Sequence, residues 1–312
     1  MRDPSEIYTI DEDVARDLSL RAEAGPGPVL LHMVRGFVDA GSAGQLSAEH
    51  LAERFETERL ATFDVDALLD YRSRRPTMVF DSTTWSDYEE PYLAVDVVRD
   101  GEKVPFLLLH GTEPDVQWER YVAAVREIVE RFRVPLSVGV HGIPMGVPHT
   151  RPLGVTAHAT RPELVTEHAS WFGRVQVPAS ASALLEYRLG RWGHDAMGFA
   201  VHVPHYLAQS AYPQASLVAL QQVERATGLE LDHAALETAA REATEEIERQ
   251  VEGSEEIAAV VQALEEQYDS FSRAIGRPNL LAEQAEIPTA DELGAEFERF
   301  LAQQQGGDGQ DR

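Results

Sequence analysis

LSVGVHGIPMGVPHTRPLGVTAHATRP, residues 136–162, is the stretch whose reading decides the fold. It opens on the apolar run Leu136-Ser137-Val138-Gly139-Val140, rich in β-branched residues and bounded by turn formers. That reads as a short buried strand. Pro144, Pro148 and Pro152 then exclude helix and central strand from the loop that follows. A second strand is expected over residues 154–159, ending at Thr160-Arg161-Pro162. Open α/β sheets place ligands on such loops, beyond the C-terminal ends of their strands. His141, His149 and Arg151 are therefore candidate functional residues. The plainer alternative is a structural crossover whose histidines cap backbone groups.

Outward from this stretch, strands and helices alternate. Residues 29–34 read as a first strand, the glycine-rich 36–44 as a loop, and the residues from there to about Arg59 as a helix with Leu46, His50, Leu51 and Phe55 on one face. Residues 60–65 then close a first βαβ unit. Three extended segments follow, 77–80, 92–99 and 104–109, with Asp100-Gly101 turning the last two into a hairpin. A helix to Phe132 carries Trp118, Val122, Val125 and Val129 as a core stripe. Beyond the opening stretch come a helix over 179–192, a strand over 196–203 and a helix over 214–227. This alternation predicts a three-layer α/β/α sandwich, and the hairpin makes its mostly parallel sheet mixed.

Four regions are expected. Residues 1–28 are acidic and then Gly/Pro-rich, an arm with an ordered patch at best; residues 29–231 form the α/β/α domain. Residues 232–302 are helical, with Ile257, Val261, Leu264, Tyr268, Phe271 and Ile275 as a heptad-like seam and a capping box, Thr289-Ala290-Asp291-Glu292, opening a last helix. Residues 303–312 read as a disordered tail.

A formal charge of −26 argues against nucleic acid and anionic membrane surfaces as partners. No cysteine is present, which excludes a disulfide framework, a thiolate metal site and a cysteine nucleophile. No apolar run approaches membrane-spanning length, so a cytoplasmic protein is expected.

The chemistry-bearing residues form no complete catalytic constellation. The loop 36–44 (Gly36, Asp39, Gly41 and Ser42 its candidates) precedes a helix and offers backbone N–H groups to an anion, yet Ser42 stands where a P-loop needs lysine. A tight, closely packed turn is the alternative. Arg72, Arg74 and Arg75 make a basic cluster suited either to a carboxylate or phosphate or to a subunit interface. His32, His110, His141 and His202 recur at strand ends, with His205 just beyond. No nucleophile elbow, His-Glu-x-x-His or acidic calcium loop occurs, so neither a metal nor another cofactor is expected.

Three motifs carry a family resemblance: GIPMGVPHTRPLGVTAHATRP, GFVDAGSAG (36–44) and DYRSRRP (70–76). With them the chain, from about Ile7 to Leu301, resembles the actinobacterial branch of the proteasome-assembly-chaperone type 2 family. The resemblance implies a phosphorylase/hydrolase-like mixed sheet. It also implies a role in proteasome assembly, because characterised relatives hold proteasome α-type subunits during ring formation. Proteasome subunits or a related ATPase are then the expected partners. The chain ends Gln310-Asp311-Arg312 rather than in a hydrophobic–tyrosine–any tripeptide, which points to surface docking. A homo-oligomer is expected from the apolar helical surface after Asp232, with three as the expected number. The alternative is an enzyme of hydrolase or phosphorylase type acting on a small anionic or nucleoside-like substrate. Its site would need residues 36–44, 72–75, 141–151 and 202–205 to line one deep pocket.

Overall fold

A mixed eight-stranded sheet forms the middle layer of the computed structural model, which describes residues 2–168 and 173–275. In chain order the elements begin with β1 (Tyr8–Ile10), α1 (Glu12–Ala24), β2 (Leu30–Arg35), α2 (Ala43–Arg54), β3 (Glu56–Phe63) and α3 (Val65–Leu68). Then come β4 (Met78–Asp81), β5 (Thr84–Tyr88), β6 (Leu93–Arg99), β7 (Pro105–Thr112), α4 (Trp118–Arg131), β8 (Ser137–Met145) and β9 (Val155–Ala159). The last are α5 (Ala181–Arg191), β10 (Ala196–Pro204), α6 (Pro213–Thr227), α7 (Ala234–Glu252) and α8 (Glu255–Ile275).

Across the sheet the order is β1-β3-β6-β7-β2-β8-β10-β9, and β4 pairs only with β5. β7, β2, β8 and β10 are parallel neighbours. β3 runs the same way, being antiparallel to β6 as β6 is to β7. One face packs against α1, α4 and α5 around Leu30, Leu107, Leu109 and Val125. The other packs against α2 and α6 around Leu31, Val138, Phe199 and Leu220. Two-sided burial explains why β10 is buried along its whole length. The predicted stripe on α4 is core: Val122, Val125 and Val129 are all buried. The three-layer α/β/α sandwich is therefore the architecture, with α7 and α8 added to it.

Several boundaries differ from the sequence reading for definable reasons. The acidic N-terminus is no loose arm. Asp11 caps α1 through the N–H groups of Asp13 and Val14, β1 pairs with β3, and Ile7, Ala15 and Leu18 are buried. Its charges lie on the outer side, so composition concealed a short amphipathic pattern. α2 stops at Arg54 instead of about Arg59, because Glu56 and Glu58 face outward from β3 with Thr57 between them, and the pairing of β3 with β6 slips between Arg59 and Ala61. β3 is separated from β2 by β7 and β6.

β8 continues through Pro144, which pairs with Val203. β2 pairs with β8 only as far as Gly139, so β8 is an edge beyond that point, where a residue lacking an N–H is tolerated. β5 was not anticipated. In the helical region Val261 is buried while Ile257 and Phe271 remain exposed. The helix expected after Thr289 and the tail over 303–312 lie outside the described residues.

The N-terminal packing has a direct test. Leu18→Ala is expected to lower the unfolding free energy by about 2–4 kcal/mol, as large-to-small changes at buried sites do. Chemical denaturation checks it, since the same change on a detached arm would be silent.

Candidate functional site

The turn from β2 into α2 is built around Asp39. Its Oδ1 accepts the N–H of Gly44 at 2.9 Å and that of Gly142 at 3.0 Å, and its Oδ2 accepts the N–H of Gln45 at 3.0 Å. Gly41 and Ser42 both take positive φ, 67° and 53°, to bring the helix N-terminus around this carboxylate. Burial pushes the Asp39 carboxyl above its usual range, against the pull of the three N–H groups. At the start of α2 the N–H groups of Gly44 and Gln45 are thus taken by the chain's own Asp39 carboxylate, within a closely packed turn. Gly36 serves the same packing: a Cβ there would stand 2.1 Å from Glu113 Oε2. The Glu113 carboxylate accepts the N–H of Phe37 at 3.0 Å and that of Ala181 at 2.7 Å, joining β2 to α5.

The arginine cluster lies elsewhere, near the β4–β5 hairpin. Arg72 is 89% exposed and reaches only Asp70, at 3.3 Å. Arg74 meets Asp115 at 3.0 Å and the Arg35 carbonyl at 3.2 Å. Arg75 is exposed.

His149 and Arg151 sit under the C-terminal helices. The Tyr206 hydroxyl accepts the His149 N–H at 2.9 Å and stands 2.7 Å from His149 Nδ1, while the His205 ring meets that of Tyr206 edge-on. Arg151 grips Asp269 of α8 with two bonds, Nε to Oδ1 at 2.9 Å and Nη2 to Oδ2 at 2.8 Å, and reaches Glu265 at 3.2 Å. Thr150 also bonds Glu265, and Tyr268 donates to the Pro152 carbonyl at 3.1 Å. Beside this seam a cleft of about 350 Å³ is lined by His149, Arg151, Tyr212, Gln214, Thr244 and Glu248.

His141 and His202 share the α5 side of the sheet, with His202 Nε2 2.7 Å from Thr156 Oγ1. His110 Nε2 meets Asp96 at 2.8 Å, a buried pair that Arg59 also joins. Among the described residues no group of three or more His, Asp or Glu side chains is placed to hold a metal ion.

The four segments divide three to one: residues 141–145 pair directly with 200–204 and Gly142 bonds Asp39 of the 36–44 turn, whereas 72–75 lies apart at the hairpin base. They do not line one pocket. Sequence reading missed Tyr206, Glu265 and Asp269, which partner His149, Thr150 and Arg151. An acidic stripe on a helix carries no sign of which arginine it will meet. It also missed the exposed hairpin, although Trp85 and Tyr88 in a polar run were a usable signal.

Two substitutions probe this geometry. Asp39→Ala strands three backbone N–H groups and is expected to cost about 2–4 kcal/mol, while millimolar phosphate leaves the wild-type melting temperature unchanged; a thermal-shift series reads both. Arg151→Ala is expected to change global stability by less than about 1 kcal/mol, since its ion pairs are partly exposed. The same change is expected to make α8 cleavable earlier in limited proteolysis.

The family model that matches the chain is that of the PAC2 family, over residues 33–251. A Mycobacterium tuberculosis protein of unknown function is 46% identical, with 86% of this chain and 92% of that one covered and a TM-score of 0.82. A Corynebacterium glutamicum protein of unknown function is 38% identical over 87% of this chain and 99% of its own, with a TM-score of 0.80. A second Mycobacterium tuberculosis structure, a proteasome-assembly chaperone homologue, shares the fold at 23% identity, covering 75% of this chain and 99% of its own with a TM-score of 0.68. No curated protein matches the chain. With the family model spanning most of the described sandwich and these two relatives aligned along it, the chain belongs to the PAC2 family.

Proposed function

We propose that this protein is a cytosolic binding factor of the assembly-chaperone kind, self-associating through the β4–β5 hairpin and docking on proteasome-type subunits or a related ATPase. The observation that carries this reading is the hairpin itself. Every residue of β4 and β5 is exposed, including Met78, Val79, Phe80, Trp85 and Tyr88, and Phe80 and Trp85 stack edge-on with ring centroids 5.0 Å apart. A two-stranded hairpin is marginal in water without a surface to pack on. Contiguous exposed apolar surface of this kind marks a protein–protein contact.

A second copy is the first occupant, because the hairpin carries exposed acids (Asp81, Asp87) and the Arg72–Arg75 loop at its base exposes cations (Arg72, Arg75). Such a surface is self-complementary. Three copies remain the expected number. The relative described as a proteasome-assembly chaperone homologue supports the choice of partner class. An enzyme of hydrolase or phosphorylase type has less support, since the 72–75 loop lies apart from the other three expected segments and the cleft beside His149 and Arg151 includes no residue of 36–44, 72–75 or 202–205. A cytosolic location agrees with the absence, among the described residues, of any helix long and apolar enough to cross a membrane.

Light scattering is expected to give a particle near three times 34.6 kDa for the wild type, falling toward 34.6 kDa when Phe80 and Trp85 are both changed to serine. A wild-type particle of 34.6 kDa would remove self-association from the proposal. Cross-linked capture from an actinobacterial lysate tests the partner separately: recovery of proteasome subunits or a related ATPase supports it, and their absence removes it.

A further inference from the structure

On the side of the sheet that α5 covers, His32 of β2, Gly139 of β8, Gly198 of β10 and His158 of β9 stand in register across four strands. The two glycines leave a furrow, and imidazoles fill it from either side. A Cβ on Gly139 would stand 2.5 Å from the His32 ring, and one on Gly198 would stand 2.4 Å from the His158 ring. His141, two residues past Gly139 and so on the same face, has its ring centroid 6.1 Å from that of His158. Glu186 of α5 is the carboxylate that enters, 2.8 Å from His158 Nδ1. His32 is 3% exposed, and neither of its ring nitrogens has a hydrogen-bond partner.

We propose that this furrow is an acid-sensitive latch: protonation of His32 and His141 lifts the edge strand β9 and helix α5 from the sheet while the remaining strands stay paired. Three imidazoles and one carboxylate share the space, so only one positive charge can be balanced there. The charged and titratable groups acting on His32 are Glu186 and His158; those acting on His141 are His158, His32 and Glu186. β9 is the part that yields, because it is five residues long and pairs with β10 alone, whereas β2, β8 and β10 lie inside the sheet.

The sign follows from the two states. Burial above all, aided by His158 and opposed by Glu186, holds both His32 and His141 down to about 4, while an opened ring returns to its ordinary value of 6.5. With His32 and His141 neutral the closed furrow is fully stable above pH 6.5, and its stability is lost as pH falls from there toward 4. For His32 alone, these two values make the opening constant roughly 20-fold larger at pH 5 than at pH 7.

Hydrogen exchange read by mass spectrometry between pH 7.5 and 4.5, corrected for the chemical exchange rate at each pH, tests the latch on the full chain. Protection over residues 155–159 and 181–191 is expected to fall by at least that factor at pH 5, while β6 and β7 keep theirs. His32→Leu, which removes a titrating ring from an apolar seat, and His141→Asn are each expected to flatten part of the pH profile. Equal loss of protection across the whole sheet would mean ordinary acid unfolding and overturn the proposal. So would protection independent of pH, or a wild-type profile in both variants. If His32→Leu does not fold, the wild-type profile and His141→Asn decide the matter.

Discussion

One partly buried carboxylate holds the C-terminal edge of the parallel strands together. Asp39 lies in the turn between β2 and α2, and its three N–H partners come from the start of α2 and from Gly142 of β8. Removing a carboxylate from water costs several kcal/mol unless hydrogen bonds replace the lost solvation. Here the first turn of α2 and the β8 backbone replace it. Gly142 makes the approach possible, since a Cβ there would stand 2.0 Å from the Ala40 carbonyl oxygen. The end of α2 that binds phosphate in other α/β proteins is in this chain committed to holding two strands and a helix in place.

The other polar groups follow from what each strand end meets next. Arg151 emerges where α8 crosses and is neutralised by Asp269 and Glu265. Glu113 closes the opposite end of the same edge by holding Phe37 and Ala181. The histidines that do not reach a partner of this kind, His32 above all, lie in the glycine furrow under α5. Polar residues at this edge thus serve mainly to join layers.

The hairpin is the exception to that economy of burial. Most apolar residues between β2 and α6 are packed against one of the two sheet faces, whereas Met78, Val79, Phe80 and Trp85 stand in solvent. No sequence feature within the sandwich requires this excursion between α3 and β6. It is held at its base by Arg35 with Glu89 and by the Glu89 N–H to the Thr77 carbonyl. A feature that the isolated fold does not stabilise is intelligible as one that an assembly does.

What the sequence determined by itself was the layered class and the elements buried on two sides. β-branched runs such as 136–140 and the stripe Val122, Val125, Val129 carry a period that only one local geometry can bury. Charged residues on the part of β3 that has β6 as its one neighbour, and on the short edge strand β1, carry no such constraint, so β3 read as helix over 56–59 and β1 was not seen. The candidate residues were visible as types: His149, Arg151, Asp39 and the strand-end histidines all stand out. Their roles were decided only by tertiary structure, because a hydrogen bond or an ion pair depends on which distant group arrives within about 3 Å. Asp39 meets a strand 103 residues away, and Arg151 meets a helix 118 residues away. Separation on that scale leaves no local pattern, whereas burial of a helix face or a strand leaves one in every turn.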